Sequence, residues 1–290
     1  MANRSHMRKS SSRDWNGGVF YALYIPLILL LFYLPIFSVM LFSFNAAKSA
    51  TVWGGFSTYW YEYLFSYREL KEALWTTVSI ALLATLISTV IGTIGSIGLA
   101  ELAKKQKNFV SFLLSVNNLP VVNPDIVTAV SLSVLFLALM KDSMGYMTML
   151  LAHIAFCTPY VIIQVYPKVQ SLDPAEMEAA MDLGATKHQA IRKVVIPDLA
   201  PSILSGAMMA FTMSFDDFVI SYFVGGKVMN ISMFVYNMKK FNPVVNALST
   251  LIFLTIGIVL VGFEIIRSKM EHNEDEEISR KKKNTRPVAN

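Results

Sequence analysis

Six long apolar runs, separated by short charged clusters, set the pattern of this chain. They cover approximately residues 18–44, 73–100, 109–140, 146–169, 199–224 and 247–266. A helix needs roughly 20 apolar residues to cross the hydrocarbon of a bilayer. Backbone groups in lipid must be satisfied within the segment, and these runs are far too long for barrel strands. The pattern therefore predicts an all-α membrane protein with about six transmembrane helices.

The third run is interrupted near its middle by polar residues and two prolines. The interruption reads NNLP at residues 117–120 and NPD at residues 123–125. Proline removes a backbone donor, and irregular backbone at membrane depth is tolerated only against protein or a water-filled cavity. We therefore expect a bend here that lines a transport pathway.

Composition agrees with a membrane protein, because charge is scarce. Only 16% of the 290 residues are charged, 54% are hydrophobic and the mean hydropathy is +0.49, whereas a soluble domain carries roughly 25% charged residues. The net charge of +5 does not indicate nucleic acid, because the basic residues lie beside the apolar runs and at the termini. Lipid headgroups and membrane topology account for them better.

The distribution of lysine and arginine predicts the orientation. With a cytoplasmic N-terminus, the segments between the runs place 18 basic residues inside and 7 outside. Those outside are Lys48, Arg68, Lys71, Lys141, Lys227, Lys239 and Lys240. The positive-inside rule therefore favours both termini in the cytoplasm, and an even number of spans requires the same.

The chain is expected to divide into three parts. Residues 1–17 form a cytoplasmic N-terminal segment, and residues 1–6 of it are typical of an expression scar. Residues 18–268 form the transmembrane domain, with a cytoplasmic loop at residues 170–198. Residues 269–290 mix acidic and basic runs without apolar periodicity, so we expect a disordered cytoplasmic tail.

The second run carries small residues at every fourth position, namely Ala84, Ser88, Gly92, Ser96 and Ala100. Such a stripe lets another helix backbone approach closely, so it predicts a helix–helix contact. The alternative is a lipid-facing helix in which the small residues are incidental. Cys157, the only cysteine, lies inside another apolar run and is expected to be a packing residue.

The cytoplasmic loop predicts two short helices around a glycine. Asp173 is a good N-cap, and Pro174 suits the first helical position. Gly184 supplies a turn after a stretch of strong helix formers. Thr186 then caps a second helix, which we expect to run to Pro197.

The first loop helix places Met177 and Met181 on one face, with Ala180 and Gly184 adjoining. An amphipathic helix this short does not span a membrane. It lies along the membrane or docks into a groove of a partner. The alternative is an ordinary loop with a helical hairpin.

The loop resembles the EAA loop of type I ABC importer permeases. EAA at residues 178–180 is followed by three residues and a glycine, then by nine residues and VVIP at residues 194–197. The family pattern ends in I-x-L-P. Val194 and Ile196 depart from it, but both keep an apolar side chain. In that family the loop forms a coupling helix seated in a cleft of the cytoplasmic ATPase. The residues that the resemblance assigns to coupling are Glu178, Ala179, Ala180, Gly184 and Pro197.

Other segments resemble the second permease subunit of spermidine/putrescine importers. They are residues 123–127, 153–157, 214–221 and 246–250. The resemblance implies three kinds of partner: two copies of a cytoplasmic ABC ATPase, a second homologous permease and an extracytoplasmic polyamine-binding protein. Permeases for iron, sulfate and other solutes share parts of these segments, so a permease for another solute is the alternative.

Three carboxylates fall at membrane depth: Asp216 and Asp217 in the fifth run, near its outer half, and Asp125 at the break of the third. Burying a carboxylate in a membrane is costly unless it meets water, a donor or a cation, so such residues are functional by default. A carboxylate-lined, aromatic-rich passage suits a polyammonium ion. The alternative is that these carboxylates cap helix ends or pair with basic residues of the partner permease.

The sequence shows no pattern of an enzyme. It lacks a G-x-x-x-x-G-K-[ST] phosphate loop, because the GGK at residues 225–227 is followed by valine and has the wrong spacing. No Ser-His-Asp arrangement or metal-ligand spacing is visible, and His153 and His188 are interpreted as structural. We therefore expect a transport subunit without catalytic residues, metal or cofactor.

Two other classes of membrane protein fit less well. A secondary transporter would need intramembrane ion-coupling residues and commonly inverted repeats, and the sequence shows neither clearly. A membrane-anchored interaction or assembly protein would need neither the polar break nor the intramembrane aspartates. The sequence therefore favours the permease subunit of an ATP-driven importer.

Overall fold

The protein is helical almost throughout. A computed structural model describes residues 14–49, 52–140, 144–238, 243–255, 257–258 and 261, with side chains from Tyr24 onward. Its helices are α1 (Asp14–Ser43), α2 (Tyr59–Ser66), α3 (Arg68–Ala103), α4 (Lys107–Val122), α5 (Asp125–Met140), α6 (Tyr146–Gln170), α7 (Pro174–Asp182), α8 (Lys187–Phe215), α9 (Val219–Val224), α10 (Ile231–Asn237) and α11 (Pro243–Thr255). Within these ranges, an isolated bridge between Asn45 and Phe56 is the one piece of β pairing.

Four helices are long and apolar enough to cross a membrane: the Tyr24–Ser43 part of α1, then α3, α6 and α8. The helices α4 and α5 count as a fifth span when the bent pair is taken together. These helices overlap the first five predicted runs, although α8 ends at Phe215, before the end of the fifth. The shorter apolar α11 covers the start of the sixth run, whose remainder lies largely outside the described residues. Six spans with both termini in the cytoplasm therefore stay a prediction.

The predicted break in the third run is present, and its position needs a correction. The helices α4 and α5 meet at an angle of 104°. The NNLP segment, which we expected to be irregular, lies inside α4, and the helix ends only at Val122. Asn123 is extended, with ψ at 145°, because a following proline pushes the preceding residue out of the helical region. Pro124 therefore makes the bend, whereas Pro120 is accommodated within the helix.

The chain divides into two compact units, of which Tyr67–Met238 is the larger. Within it, α3, α6 and α8 pack against one another, and α9 packs on α5 and α6. Buried apolar side chains from these helices form one cluster, which includes Phe136, Met149, Phe156, Val161 and Ile220. This packed unit holds all of the residues that we assigned to coupling and to the substrate pathway.

The small-residue stripe of α3 makes the predicted close helix contact. Ala84 and Ser88 are fully buried. A Cβ atom added to Gly92 would lie 2.6 Å from Cγ1 of Val161 on α6, which is well inside van der Waals contact. Gly206 of α8 lies close to the same valine, because a Cβ atom added to Gly206 would lie 3.3 Å from Cγ1 of Val161. The three helices therefore meet around Val161.

The other unit comprises the described parts of Met1–Ser66 and Lys239–Asn290. Its best-defined feature is the loop between α1 and α2, which folds around Asn45. The Asn45 side chain donates to the carbonyl of Val52 at 2.8 Å and accepts from the N–H of Gly54 at 2.7 Å. The indole of Trp60 donates to the Asn45 carbonyl at 2.7 Å. The loop is thereby fixed to the start of α2.

Candidate functional site

The predicted coupling loop begins with α7, whose N-terminus is capped as the sequence indicates. Asp173 is extended, and its carboxylate accepts from the N–H of Ala175 at 2.9 Å. Pro174 is the first helical residue. An acceptor at the N-cap satisfies a backbone donor that the helix itself leaves unpaired. The predicted start of this helix is therefore confirmed.

Gly184 ends α7 in a left-handed turn. Its φ is +89°, a conformation that glycine adopts without the penalty other residues meet. The N–H of Gly184 donates to the carbonyl of Met181 at 2.9 Å, and the N–H of Ala185 donates to that of Ala180 at 3.1 Å. This is the Schellman arrangement, which satisfies the last carbonyls of the helix. Gly184 therefore sets the direction in which the chain leaves α7.

The second loop helix starts as predicted and ends elsewhere. Thr186 accepts from the N–H of Gln189 at 3.3 Å, and the Gln189 side chain accepts from the N–H of Thr186 at 2.9 Å, which forms a capping box. The prediction that this helix ends at Pro197 was wrong, because α8 continues to Phe215. A π-type turn at Ile191–Val195 widens the helix before the proline, which accommodates the missing donor and the bulky ring.

The helix α7 has two different faces. Half-buried residues lie on one side, and they are Met177, Ala180 and Met181. The other side is exposed and carries Glu178, Ala179 and Asp182. Leu183, at the C-terminal end of α7, is 90% exposed. The described chain therefore leaves a large apolar side chain uncovered next to two carboxylates.

Ion pairs connect the loop to the helices around it. Lys187 pairs with Glu101 at the end of α3 at 3.1 Å, and Glu101 also pairs with Lys104 at 3.0 Å. Lys168 and Asp198, which lie at the two ends of the loop, pair at 3.3 Å. Exposed pairs contribute about 0–1 kcal/mol each. Their effect here is on the placement of the loop more than on the stability of the protein.

The fifth apolar run is two helices rather than the single span we expected. The helix α8 ends at Phe215, and α9 begins at Val219. Asp217 lies in the break, and its carboxylate accepts from the N–H of Ile220 at 3.1 Å and of Ser221 at 2.8 Å. These bonds satisfy the first donors of α9, which a continuous helix would have used internally. The break is therefore stabilised by a side chain that the apolar pattern does not reveal.

The two adjacent aspartates have different surroundings. Asp216 is exposed in this chain. Asp217 is 9% exposed and its carboxylate is occupied by hydrogen bonds. Asp125, the third predicted pathway residue, is exposed at the first position of α5, just after the 104° bend.

A buried polar cluster surrounds Asp217. Ser221 donates from its hydroxyl to Asp217 at 2.8 Å, and His153 places Nε2 3.4 Å from the same carboxylate oxygen. Nδ1 of His153 lies 2.7 Å from the hydroxyl of Ser214. The Asn230 side chain donates to the Asp217 carbonyl at 2.7 Å. Residues from α6, α8, α9 and the start of α10 therefore meet at one buried point.

Aromatic rings stand close to the same break. The rings of Phe218 and Tyr236 have centroids 4.7 Å apart, and those of Phe218 and Tyr222 are 5.4 Å apart. Tyr222 is 50% exposed and Tyr236 is 66% exposed. The exposed Asp216 lies two residues before Phe218, whose ring contacts both exposed tyrosines. Carboxylates and aromatic rings both attract organic cations.

Comparison with known proteins identifies the family. A family described as "Binding-protein-dependent transport system inner membrane component" matches residues 15–268. The chain belongs to this family. It is accordingly a multi-pass inner-membrane permease of a binding-protein-dependent transport system, and the predicted kinship with ABC importer permeases is confirmed.

Two relatives of this permease are named for the polyamines that they transport. It is 35% identical over 261 residues to the spermidine/putrescine transport system permease protein PotC of Escherichia coli (strain K12), covering 89% of this chain and 96% of the relative. It is 35% identical over 236 residues to the putrescine transport system permease protein PotI of the same strain, covering 78% of this chain and 83% of the relative. These relatives are transport permeases, which agrees with the expectation of a transport subunit.

A solved structure supports the fold of the permease. A chain from a bacterial ABC transporter involved in the import of the acidic polysaccharide alginate matches with a TM-score of 0.70, covering 91% of this chain and 99% of that chain. The two sequences are 14% identical. This likeness shows the fold, and the all-α permease architecture predicted from the sequence is confirmed.

The sequence did not reveal one feature of the permease. The sequence indicated no Ser-His-Asp arrangement. In the structure, however, His153 lies between the other two residues, with Nδ1 2.7 Å from the Ser214 hydroxyl and Nε2 3.4 Å from the Asp217 carboxylate. Ser214 is only 2% exposed, so the geometry does not present a nucleophile to a substrate. Among the described residues, no group of three His, Cys, Asp or Glu side chains is placed to hold a metal ion. The general cost of polar groups inside a membrane was the only signal that they had partners.

Proposed function

We propose that this permease is one of two permease subunits of an ATP-driven polyamine importer, and that a separate ATPase drives it through α7. The other components are two copies of a cytoplasmic ABC ATPase, a second homologous permease and an extracytoplasmic polyamine-binding protein. The polyamine class is supported by the substrates for which the two Escherichia coli relatives are named. The fold alone does not choose the substrate, because the alginate transporter with the same fold handles an acidic polymer.

The uncovered face of α7 is the observation that supports coupling to a separate motor. Leu183 is 90% exposed, and Glu178 and Asp182 are exposed beside it. Burying a leucine side chain contributes about 1.5–3 kcal/mol. A partner cleft with an apolar pocket and a basic rim would complement both the leucine and the carboxylates. Gly184 and the paired caps hold α7 in the orientation that presents this face.

Residues of the EAA segment contribute to this docking in different ways. Glu178 and Ala179 are exposed and available to the ATPase, whereas Ala180 is half-buried on the side towards the bundle. Pro197 lies within α8 just after the π-type turn. We propose that Pro197 acts by shaping the connection from α7 to the membrane helix, through which movement of α7 is transmitted.

The surroundings of the helix break support a cationic substrate. Asp216 supplies an exposed negative charge, and Tyr222 and Tyr236 supply exposed rings. A polyammonium ion gains Coulomb attraction from the first and cation–π contact from the others. Asp125 at the bend of α4 and α5 is a second exposed carboxylate for the same path. Asp217 contributes to the path by supporting the break.

Replacing Asp216 with asparagine is expected to reduce ATP-dependent polyamine uptake. The change keeps the size of the side chain and removes the charge, so subsaturating uptake should fall about tenfold, which corresponds to about 1.4 kcal/mol. The measurement is uptake of radiolabelled spermidine and putrescine into proteoliposomes that contain the permease with its co-purified partners and ATP.

The control for this change is Glu69→Gln, which removes an exposed charge in the first turn of α3 and should leave uptake within about twofold, as for most surface changes. Unaltered uptake in Asp216→Asn would remove Asp216 from the path. Absence of ATP-dependent uptake of both polyamines by the unmodified complex would overturn the polyamine proposal itself.

A further inference from the structure

The buried cluster at the α8–α9 break is closed and leaves its members little freedom. His153 of α6 is 1% exposed, Ser221 of α9 is fully buried, and Asn230 is 2% exposed. They come from segments far apart in the chain, and each bonds to the region around Asp217. A buried polar group without a partner is costly, and the low local dielectric makes this especially severe. The cluster is therefore expected to be rigid as long as all of its bonds are made.

The hydrogen count within the cluster assigns the hydrogen on His153. The hydroxyl of Ser221 has one hydrogen, and it donates to Asp217 at 2.8 Å. The hydroxyl oxygen of Ser221 accepts from the Asn230 amide at 2.8 Å and lies 3.0 Å from Nε2 of His153. A hydroxyl oxygen has two acceptor lone pairs, so it can accept from both Asn230 and His153. Since its one hydrogen is already donated to Asp217, the contact with His153 requires a hydrogen on Nε2. His153 is therefore a donor towards Ser221 and the carboxylate behind it.

The bonds around Ser221 hold the side chain of Asp217 and leave that of Asp216 exposed. Asp217 accepts from two backbone N–H groups and from Ser221, so its carboxylate is tied to the start of α9. Asp216 has its backbone N–H bonded to the carbonyl of Thr212, and its side chain is exposed. The orientation of Asp216 is thus set by a neighbour that is itself held from α6.

We propose that His153 is a positioning residue of the transport path: its Nε2–H holds the Ser221–Asp217 pair, and this pair keeps the helix break in the shape that exposes Asp216. The division assigns contact with the substrate to Asp216 and support of the break to Asp217. It rests on the proposed function only where it takes Asp216 as a substrate contact.

Two amide substitutions separate the two nitrogens of the imidazole. The amide of His153→Gln reaches the place of Nε2 and restores the donor to Ser221. The amide of His153→Asn reaches only the place of Nδ1, beside Ser214. We expect His153→Gln to keep polyamine uptake within about twofold, and His153→Asn to lower it about tenfold or more, because small displacements of positioned groups are costly. His272→Gln, in the predicted cytoplasmic tail, serves as the control for histidine loss.

A labelling assay tests the same inference without a substrate. Cys157 is the only cysteine of this chain and is fully buried, so Asp216→Cys gives the permease one accessible thiol, and labelling is read on the permease chain after the subunits are separated. Its rate of reaction with a membrane-impermeant maleimide should be unchanged when His153→Gln is added. Adding His153→Asn should change the rate about tenfold, since the break is then no longer held.

The outcomes separate failure of this inference from failure of the proposed function. Equal labelling rates in the Gln and Asn backgrounds, or equal loss of uptake in both, would overturn the positioning role. A labelling difference without any polyamine uptake would support it and remove the substrate assignment. A ¹⁵N spectrum of the unmodified complex, assigned by its difference from His153→Gln, should show a protonated Nε2, and an unprotonated Nε2 would overturn the proposal even if His153→Asn fails to fold.

Discussion

Replacing Gly184 with valine is expected to reduce ATP-dependent uptake at least tenfold. Most of this reduction comes from backbone strain, because a left-handed conformation costs a residue other than glycine about 1–2 kcal/mol. Gly184 has a φ of +89°, and a Cβ atom added there meets nothing within 4 Å. The penalty therefore comes from the backbone and not from a collision. Relief of the strain would undo the turn after α7 and displace Leu183 from the docking face.

The matched control for this change is Gly184→Asn, because asparagine tolerates the left-handed region far better than a β-branched residue does. We expect Gly184→Asn to keep most of the uptake. Uptake and ATP hydrolysis are measured together in the reconstituted complex. The valine variant should hydrolyse ATP without transporting, and equal behaviour of the two variants would argue against a role for this turn.

Replacing Gly92 with leucine is expected to produce a large loss of stability. A Cβ atom alone would lie 2.6 Å from Cγ1 and 2.7 Å from Cβ of Val161, and leucine adds three more carbon atoms. Overpacking costs typically about 1–3 kcal/mol and occasionally more. The loss should be visible as a lower thermal unfolding temperature of the detergent-purified protein and as a lower yield.

Gly98→Leu provides the comparison for this prediction on the same helix. A Cβ atom added to Gly98 meets nothing within 4 Å, so the same side chain should be accepted there. We expect Gly98→Leu to unfold at about the same temperature as the unmodified protein, and Gly92→Leu to unfold at a clearly lower temperature. If the two leucine variants unfold at the same temperature, α3 and α6 do not make the close contact described above.

Features that depend on local sequence were predictable in this chain. Asp173, Pro174 and Gly184 determine the start and end of α7 through caps and a turn that involve only neighbouring residues. The stripe of small residues on α3 also indicated a close contact correctly. The resemblance in the EAA loop indicated the family.

Features that depend on distant partners were not predictable. The apolar pattern of the fifth run indicated one helix, because the residue that interrupts it, Asp217, is held by His153 of α6 and by Asn230 before α10. Pro197 suggested a helix end, yet the helix passes it by widening into a π-type turn. In both places the outcome is decided by bonds that no periodicity reports.

The candidate pathway was predictable as a region but not residue by residue. Asp216 and Asp217 are identical side chains at consecutive positions, so the same role was predicted for both. The structure separates them: one side chain is exposed and the other is enclosed by donors. The apolar pattern does not distinguish the two, because the N–H groups of Ile220 and Ser221 are available to Asp217 only once the helix breaks, and His153 comes from the distant α6.

The central claim is that the exposed end of α7 contacts a separate ATPase, and cross-linking from Leu183 tests it most directly. Leu183→Cys supplies the single reactive thiol of the permease chain, since Cys157 is fully buried, and the permease is labelled before the complex is assembled. After attachment of benzophenone maleimide and irradiation of the purified complex, mass spectrometry identifies the linked chain. Val52→Cys, 61% exposed in the loop after α1, is the control. We expect position 183, and not position 52, to be linked to the ATPase. If the ATPase stays unlinked from position 183, α7 does not dock on it.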